Sequence, residues 1–171
     1  LRVRTGPVVT NIRTAVRSVR EGIAEHYSQH TVEADDGFAD FHVSVERGGT
    51  RLRPRAETVL RFDGAQALGR WPGEDGYPLL EWGLNWCVSS HCHQYLLVRG
   101  AVLERQGRAL LLPGPAGVGK STLAAGLAFV GGWRLLSDAI ALIEPQTGRV
   151  VPLPRPIELK NDSIGAIQAL A

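Results

Sequence analysis

The chain opens on an extended segment from Leu1 to Val9, interrupted at Gly6 and Pro7. Thr10 or Asn11 is then placed to cap a helix running to about Tyr27, because Ile12, Val16, Val19, Ile23 and Tyr27 recur on one helical face. Arg13, Arg17 and Arg20 fall off that face and read as solvated. From Phe38 to Glu46 the period changes to two. Phe41, Val43 and Val45 take one side and Asp40, His42 and Ser44 the other, which predicts a half-buried strand with His42 on its wet face. Thr58 to Phe62 is a second strand, beyond the turn residues Gly48 and Gly49. Between Asp63 and Tyr77, Gly and Pro recur with little apolar period, which predicts a connection and a boundary near residue 77.

Leu79 to His93 has helical spacing, with Leu80, Leu84, Cys87 and Val88 on the buried side. Tyr95 to Glu104 and Ala109 to Pro113 form two strands around a hairpin turn at Gln106-Gly107-Arg108. A short apolar helix runs from Leu123 to about Val130, followed by an apolar run from Arg134 to Glu144. A turn at Pro145-Gln146-Thr147-Gly148 and a strand from Arg149 to Leu153 come after it. The pattern divides into a small α+β region over residues 1–77 and an α/β domain over 78–171.

The second strand of the hairpin runs straight into Gly114-Pro115-Ala116-Gly117-Val118-Gly119-Lys120-Ser121, which is Gly, four residues, then Gly-Lys-Ser, between a strand and a helix. Glycines let a backbone wrap a polyphosphate without Cβ clashes, so that successive N–H groups point at its oxygens. The contacts expected from the backbone of such a loop are at Gly114, Ala116, Gly117, Val118, Gly119, Lys120, Ser121 and Thr122. Lys120 would reach the β- and γ-phosphates of ATP, Ser121 would offer its hydroxyl to magnesium, and the helix N-terminus adds partial positive charge. Asp138 follows Leu135-Leu136-Ser137 in a strand expected to return beside the loop, where a carboxylate can hold metal or take a proton.

Composition sharpens this picture at a few points. Of the 19 Lys and Arg, only Lys120 and Lys160 are Lys, so a compact ammonium in the glycine loop stands out against an Arg-rich background. The 19 basic and 17 acidic residues are scattered, which argues against nucleic acid as a partner. No apolar run is long enough for a bilayer, and two cysteines make no disulfide framework, so a membrane partner is not expected and a cytoplasmic location is. Leu1 in place of a Met predicts trimming at the start, and the end at Ala171 within a helix-like pattern predicts truncation at the other. Cys87, His91, Cys92 and His93 crowd one stretch, but no second ligand pair at zinc-finger spacing accompanies them, so a partly buried helix end is the better reading. Trp82 and Trp86 lie one helical turn apart and read as core or subunit contacts, the latter in a homo-oligomer.

The unit at residues 109–130, with Gly132-Trp133-Arg134-Leu135-Leu136-Ser137-Asp138, resembles the catalytic domain of bacterial HPr kinase/phosphorylase. Pro78-Leu79-Leu80-Glu81-Trp82-Gly83-Leu84-Asn85-Trp86 is similar to a segment that precedes the core in HPr-kinase-related proteins, and the likeness spans about residues 78–164. It implies a P-loop kinase core of the HPr kinase/phosphoenolpyruvate carboxykinase type that uses ATP and Mg2+ to phosphorylate a Ser hydroxyl of a protein or peptide. Carried over, Lys120 and Asp138 are catalytic, Asp138 as general base, and Ser121, Asp138 and Glu158 are candidate metal ligands. Glu158, in Glu158-Leu159-Lys160-Asn161, stands where the family has Glu-Ile-Arg-Gly. Two departures bear on activity. Ala139 replaces the family's second acidic residue, and Arg99 before Gly100 replaces a His. Ala can neither bind metal nor take a proton, so the alternative expectation is a nucleotide-dependent binding or sensing protein with weak turnover. A P-loop ATPase is a third reading, for which no arginine finger can be assigned.

Overall fold

The computed structural model describes residues 1–30, 37–50 and 53–170, and the terminal Ala171 lies outside them. The chain divides into two compact units, Leu1–His91 and Cys92–Ala171. Among the described residues no helix is long and apolar enough to cross a membrane.

In the first unit β1 (Arg2–Thr5) and β2 (Val8–Thr14) form a hairpin, followed by α1 (Arg17–His26), β3 (Phe41–Thr50), β4 (Arg53–Phe62), β5 (Ala65–Gln66), β6 (Trp71–Pro72) and α2 (Gly76–His91). The sheet runs β1-β2-β3-β4-β5, with β6 also on β4, and only β2 and β3 are parallel. The helix expected from Thr10 or Asn11 is therefore a strand as far as Thr14. Val8, Val9, Thr10 and Ile12 are β-branched, and their backbone pairs with β1 on one side and β3 on the other. Thr14 marks the change of element, its hydroxyl donating to the Val45 carbonyl at 2.7 Å and accepting the Val16 N–H at 3.0 Å. Val16, Val19, Ile23 and Tyr27 are all buried, as their spacing predicts.

Residues 63–77, expected as a connection, contribute the two-residue strands β5 and β6. α2 starts three residues earlier than expected and buries Leu79, Leu80, Gly83, Leu84, Cys87 and Val88. It packs on α1, β3, β4 and β6, so the division between units falls after His91 and not near residue 77. At Gly83 the helix lies so close to the sheet that a Cβ there would collide with the buried Leu60 Cδ1 unless that side chain moved. His91 ends the helix with Nδ1 3.1 Å from the Cys87 carbonyl and packs among Phe41, Phe62 and Trp86.

The second unit holds β7 (Leu96–Arg105), β8 (Arg108–Pro113), α3 (Lys120–Val130), β9 (Arg134–Ser137), β10 (Ile140–Ile143), β11 (Val150–Val151) and α4 (Asp162–Gln168). Gln106 and Gly107, at φ 55 and 75, make the tight turn between β7 and β8 that the sequence signals. The sheet order is β11-β10-β7-β8, with β9 on β7, and every strand pair in it is antiparallel. Ala101, Leu103 and Ala124 form a core with Leu112, Leu127 and Leu135 on the α3 side, while Val102, Leu136 and Ala141 pack with Leu111 and Val98 on the other.

Candidate functional site

Residues 114–119 carry the chain from the end of β8 to the start of α3. Gly114, Gly117 and Gly119 have φ values of 151, 85 and 88, which L side chains rarely adopt, so the glycines of the motif are required by the backbone path itself. α3 begins at Lys120 with no side-chain cap and no acidic residue in its first turn. The leading N–H groups of a helix have no acceptor within it, so the first turn at Lys120, Ser121 and Thr122 is open to an anion. Ala116 and Val118 are exposed along the loop. Lys120 folds back over it, Nζ donating to the Pro115 carbonyl at 2.7 Å.

Facing this turn is Asp138. The Ser121 hydroxyl lies 3.0 Å from both of its carboxylate oxygens, and the Glu158 backbone N–H donates to Oδ2 at 3.3 Å. The carboxylate belongs to a residue only 8% exposed. Ser121 and Asp138, two of the three oxygen ligands expected for magnesium, are therefore brought together. The Glu158 side chain is not. It is 68% exposed and pairs with Lys160 at 2.9 Å, so this residue meets the site through its amide. Among the described residues, no three or more His, Cys, Asp or Glu are grouped to hold a metal ion.

Asp138 does not arrive as expected. β9 pairs with β7, not with the loop strand β8, and the sheet is antiparallel, so there is no switch point between parallel strands to deliver it. A bulge does. Leu103 faces Leu135 but Val102 faces Ser137, so Leu136 is an extra residue in the ladder. Beyond it Ile140 faces Arg99, which sets Asp138 opposite Ala101 on the α3 side. Were Leu136 paired with Val102 in an unbroken ladder, Asp138 would face Gly100 and point to the opposite side. Ala139 follows at φ 78, its carbonyl accepting the Gly100 N–H at 3.0 Å.

The two departures from the family pattern thus meet across the ladder: Ala139 beside Gly100, and Arg99 beside Ile140. By strand alternation Arg99 shares the α3 side with Ala101 and Asp138. It is exposed and makes no hydrogen bond or ion pair among the described residues. Residue types alone did not reveal the bulge, the backbone of Ala139 or the amide of Glu158. The one faint signal was Ser137-Asp138-Ala139 breaking an otherwise apolar run.

No protein-family model, no curated protein and no solved structure matches the chain. Its geometry defines the broad class of a mixed α/β protein, with two sheets and four helices among the described residues.

Proposed function

We propose that this chain is an ATP-dependent kinase with a P-loop core of the HPr kinase/phosphoenolpyruvate carboxykinase type, acting in the cytoplasm on a Ser hydroxyl of a protein or peptide. The observation that carries the reading is the Ser121 hydroxyl 3.0 Å from the Asp138 carboxylate, at the uncapped start of the helix that follows the glycine loop. A hydroxyl and a carboxylate are hard oxygen donors of the kind Mg2+ takes while keeping waters and phosphate oxygens, so these residues fit that ion. When bound, magnesium supplies charge neutralisation along the phosphates.

The chain's own residues carry the remaining work. Backbone N–H groups of Gly114 and of residues 116–122 hold the polyphosphate, and Lys120, leaving the Pro115 carbonyl, sets its ammonium against the β- and γ-oxygens. Asp138 takes the proton as the substrate oxygen bonds to the γ-phosphorus and the bond to the departing ADP oxygen breaks. Its two hydrogen bonds, from Ser121 and the Glu158 amide, fix the carboxylate in place. Arg99, on the same side of the sheet, is a further cation within this neighbourhood and supports charge development on the transferred group.

Ala139 favours a second reading, a protein that binds nucleotide to present or sense a peptide, because no second carboxylate stands beside Asp138 in the chain. The deciding measurement is Mg·ATP binding and turnover by the natural chain, Lys120→Ala and Ala139→Asp. Asp tolerates the left-handed backbone at residue 139 better than Glu does. Lost binding in the first variant and increased phosphoryl transfer in the second support the kinase. Binding with no turnover in any variant supports the sensor, and no ATP binding by the natural chain removes both.

A further inference from the structure

The first unit contains two concavities that have no part in the proposed phosphoryl transfer. One, of about 610 Å3, is lined by Val3, Ile12, Ile23, Ala24 and Tyr27, between the β1–β2 hairpin and α1. The other, of about 660 Å3, lies on the polar side of the sheet and is lined by Asn11, His42, Ser44 and Asp63 among others. Both fall within the range of roughly 300–1,000 Å3 common for small-molecule sites. Arg13 and Thr14 line both, so an apolar slot and a polar basin adjoin at the end of β2.

The slot is dry chemistry. Val3, Ile12, Ile23 and Tyr27 are buried and form its floor. Its two buried or half-buried hydroxyls are already engaged, Thr14 with the Val45 carbonyl and Tyr27 with the Glu81 carboxylate at 2.8 Å. A peptide laid here would bury backbone amides without partners, whereas a hydrocarbon chain would not. The mouth has the opposite character. Arg13 and Arg20 line the slot, are exposed, and make no hydrogen bond or ion pair among the described residues. Two guanidinium forks without a partner among the described residues, beside an apolar slot, match an anionic head on an apolar tail.

We propose that the first unit binds a single-chain fatty carboxylate, its tail in the slot floored by Ile12, Ile23 and Tyr27 and its head held by Arg13 and Arg20. The test is calorimetric titration of the full chain with dodecanoate below its micelle-forming concentration, with dodecanol and dodecyltrimethylammonium as neutral and cationic controls. Dodecanoate binds at one site and more tightly than either control. Arg13→Gln with Arg20→Gln, both at exposed positions, weakens dodecanoate about tenfold or more and leaves dodecanol unchanged. Ala24→Trp, at an exposed residue of the mouth, blocks the slot and abolishes both. Should that variant lose its native circular dichroism, displacement of the Ile12 and Ile23 methyl resonances by dodecanoate in the natural chain serves in its place. The proposal is overturned if dodecanoate fails to bind, if dodecanol matches it, if the double Arg variant binds it equally well, or if it survives the blocked slot or leaves those methyls unmoved.

Discussion

An alanine at φ 78 carries a steric cost that glycine escapes, and Ala139 is held there by the Gly100 N–H bonded to its carbonyl. Ala139→Gly relieves about 1 kcal/mol of that cost, partly offset by the greater freedom glycine gives the unfolded chain, so thermal melting should rise by roughly 1–3 °C. A melting temperature that falls would show that the position is not strained. Arg99 makes the opposite kind of prediction, for chemistry and not for stability. On the proposed kinase reading, Arg99→Gln should leave Tm and ATP affinity nearly unchanged while lowering kcat about tenfold or more, because the charge it offers would matter most as the phosphoryl group transfers. Equal losses in affinity and kcat would mark Arg99 as a ground-state contact. Of the site, Lys120 and Ser121 were legible because a contiguous motif fixes them relative to the glycines. Asp138 was legible in kind but not in direction, because the face a strand residue takes is set by its partner's register.

Elements met one another where the sequence is least expressive. Gly83 reads as an ordinary weak point in a helix, yet it is the point at which α2 crosses Leu60 of β4. Gly83→Ala should destabilise by about 1–3 kcal/mol through overpacking, measured by chemical denaturation, and should cost less when introduced into a chain that already carries Leu60→Ala. A neutral Gly83→Ala would mean that the helix can shift on the sheet. The β7–β8 hairpin has a pH signature of its own. The Gly107 N–H, 2.7 Å from Glu104, holds that carboxyl below its ordinary range, with Arg134 adding to the effect. A lowered folded-state pKa stabilises above the unfolded value of about 4.3 and is lost as pH falls through the folded one. Acidification below about pH 4 should therefore erode the hairpin, and Glu104→Gln should flatten that part of the Tm profile. The same element scale explains the misread start of the chain. Ile12 fits both the helical series to Tyr27 and the alternating series of β2, and only pairing with β1 and β3 decides between them.

At the scale of the molecule, all the residues proposed for phosphoryl transfer lie in residues 92–171, and the first unit is completed by α2. A fragment of residues 1–91 should fold cooperatively, while one ending at residue 77 leaves Val45 and Leu60, both fully buried, without the helix that packs on their strands. Circular dichroism melts of the two fragments check this, and cooperative unfolding of the shorter one would return the boundary to residue 77. The helix itself was legible from its apolar spacing, but its allegiance was not, since an apolar face does not name its partner. The bulge at Leu136 also bears on how such a site can be inherited. Leu136 is the residue the bulge takes up, so deleting it leaves Ser137 opposite Val102 and Asp138 opposite Ala101, and the carboxylate keeps its side of the sheet. In a lineage, the spacing between the glycine loop and the acid can vary by one residue with the geometry kept, so a one-residue gap across this strand does not mark a lost site.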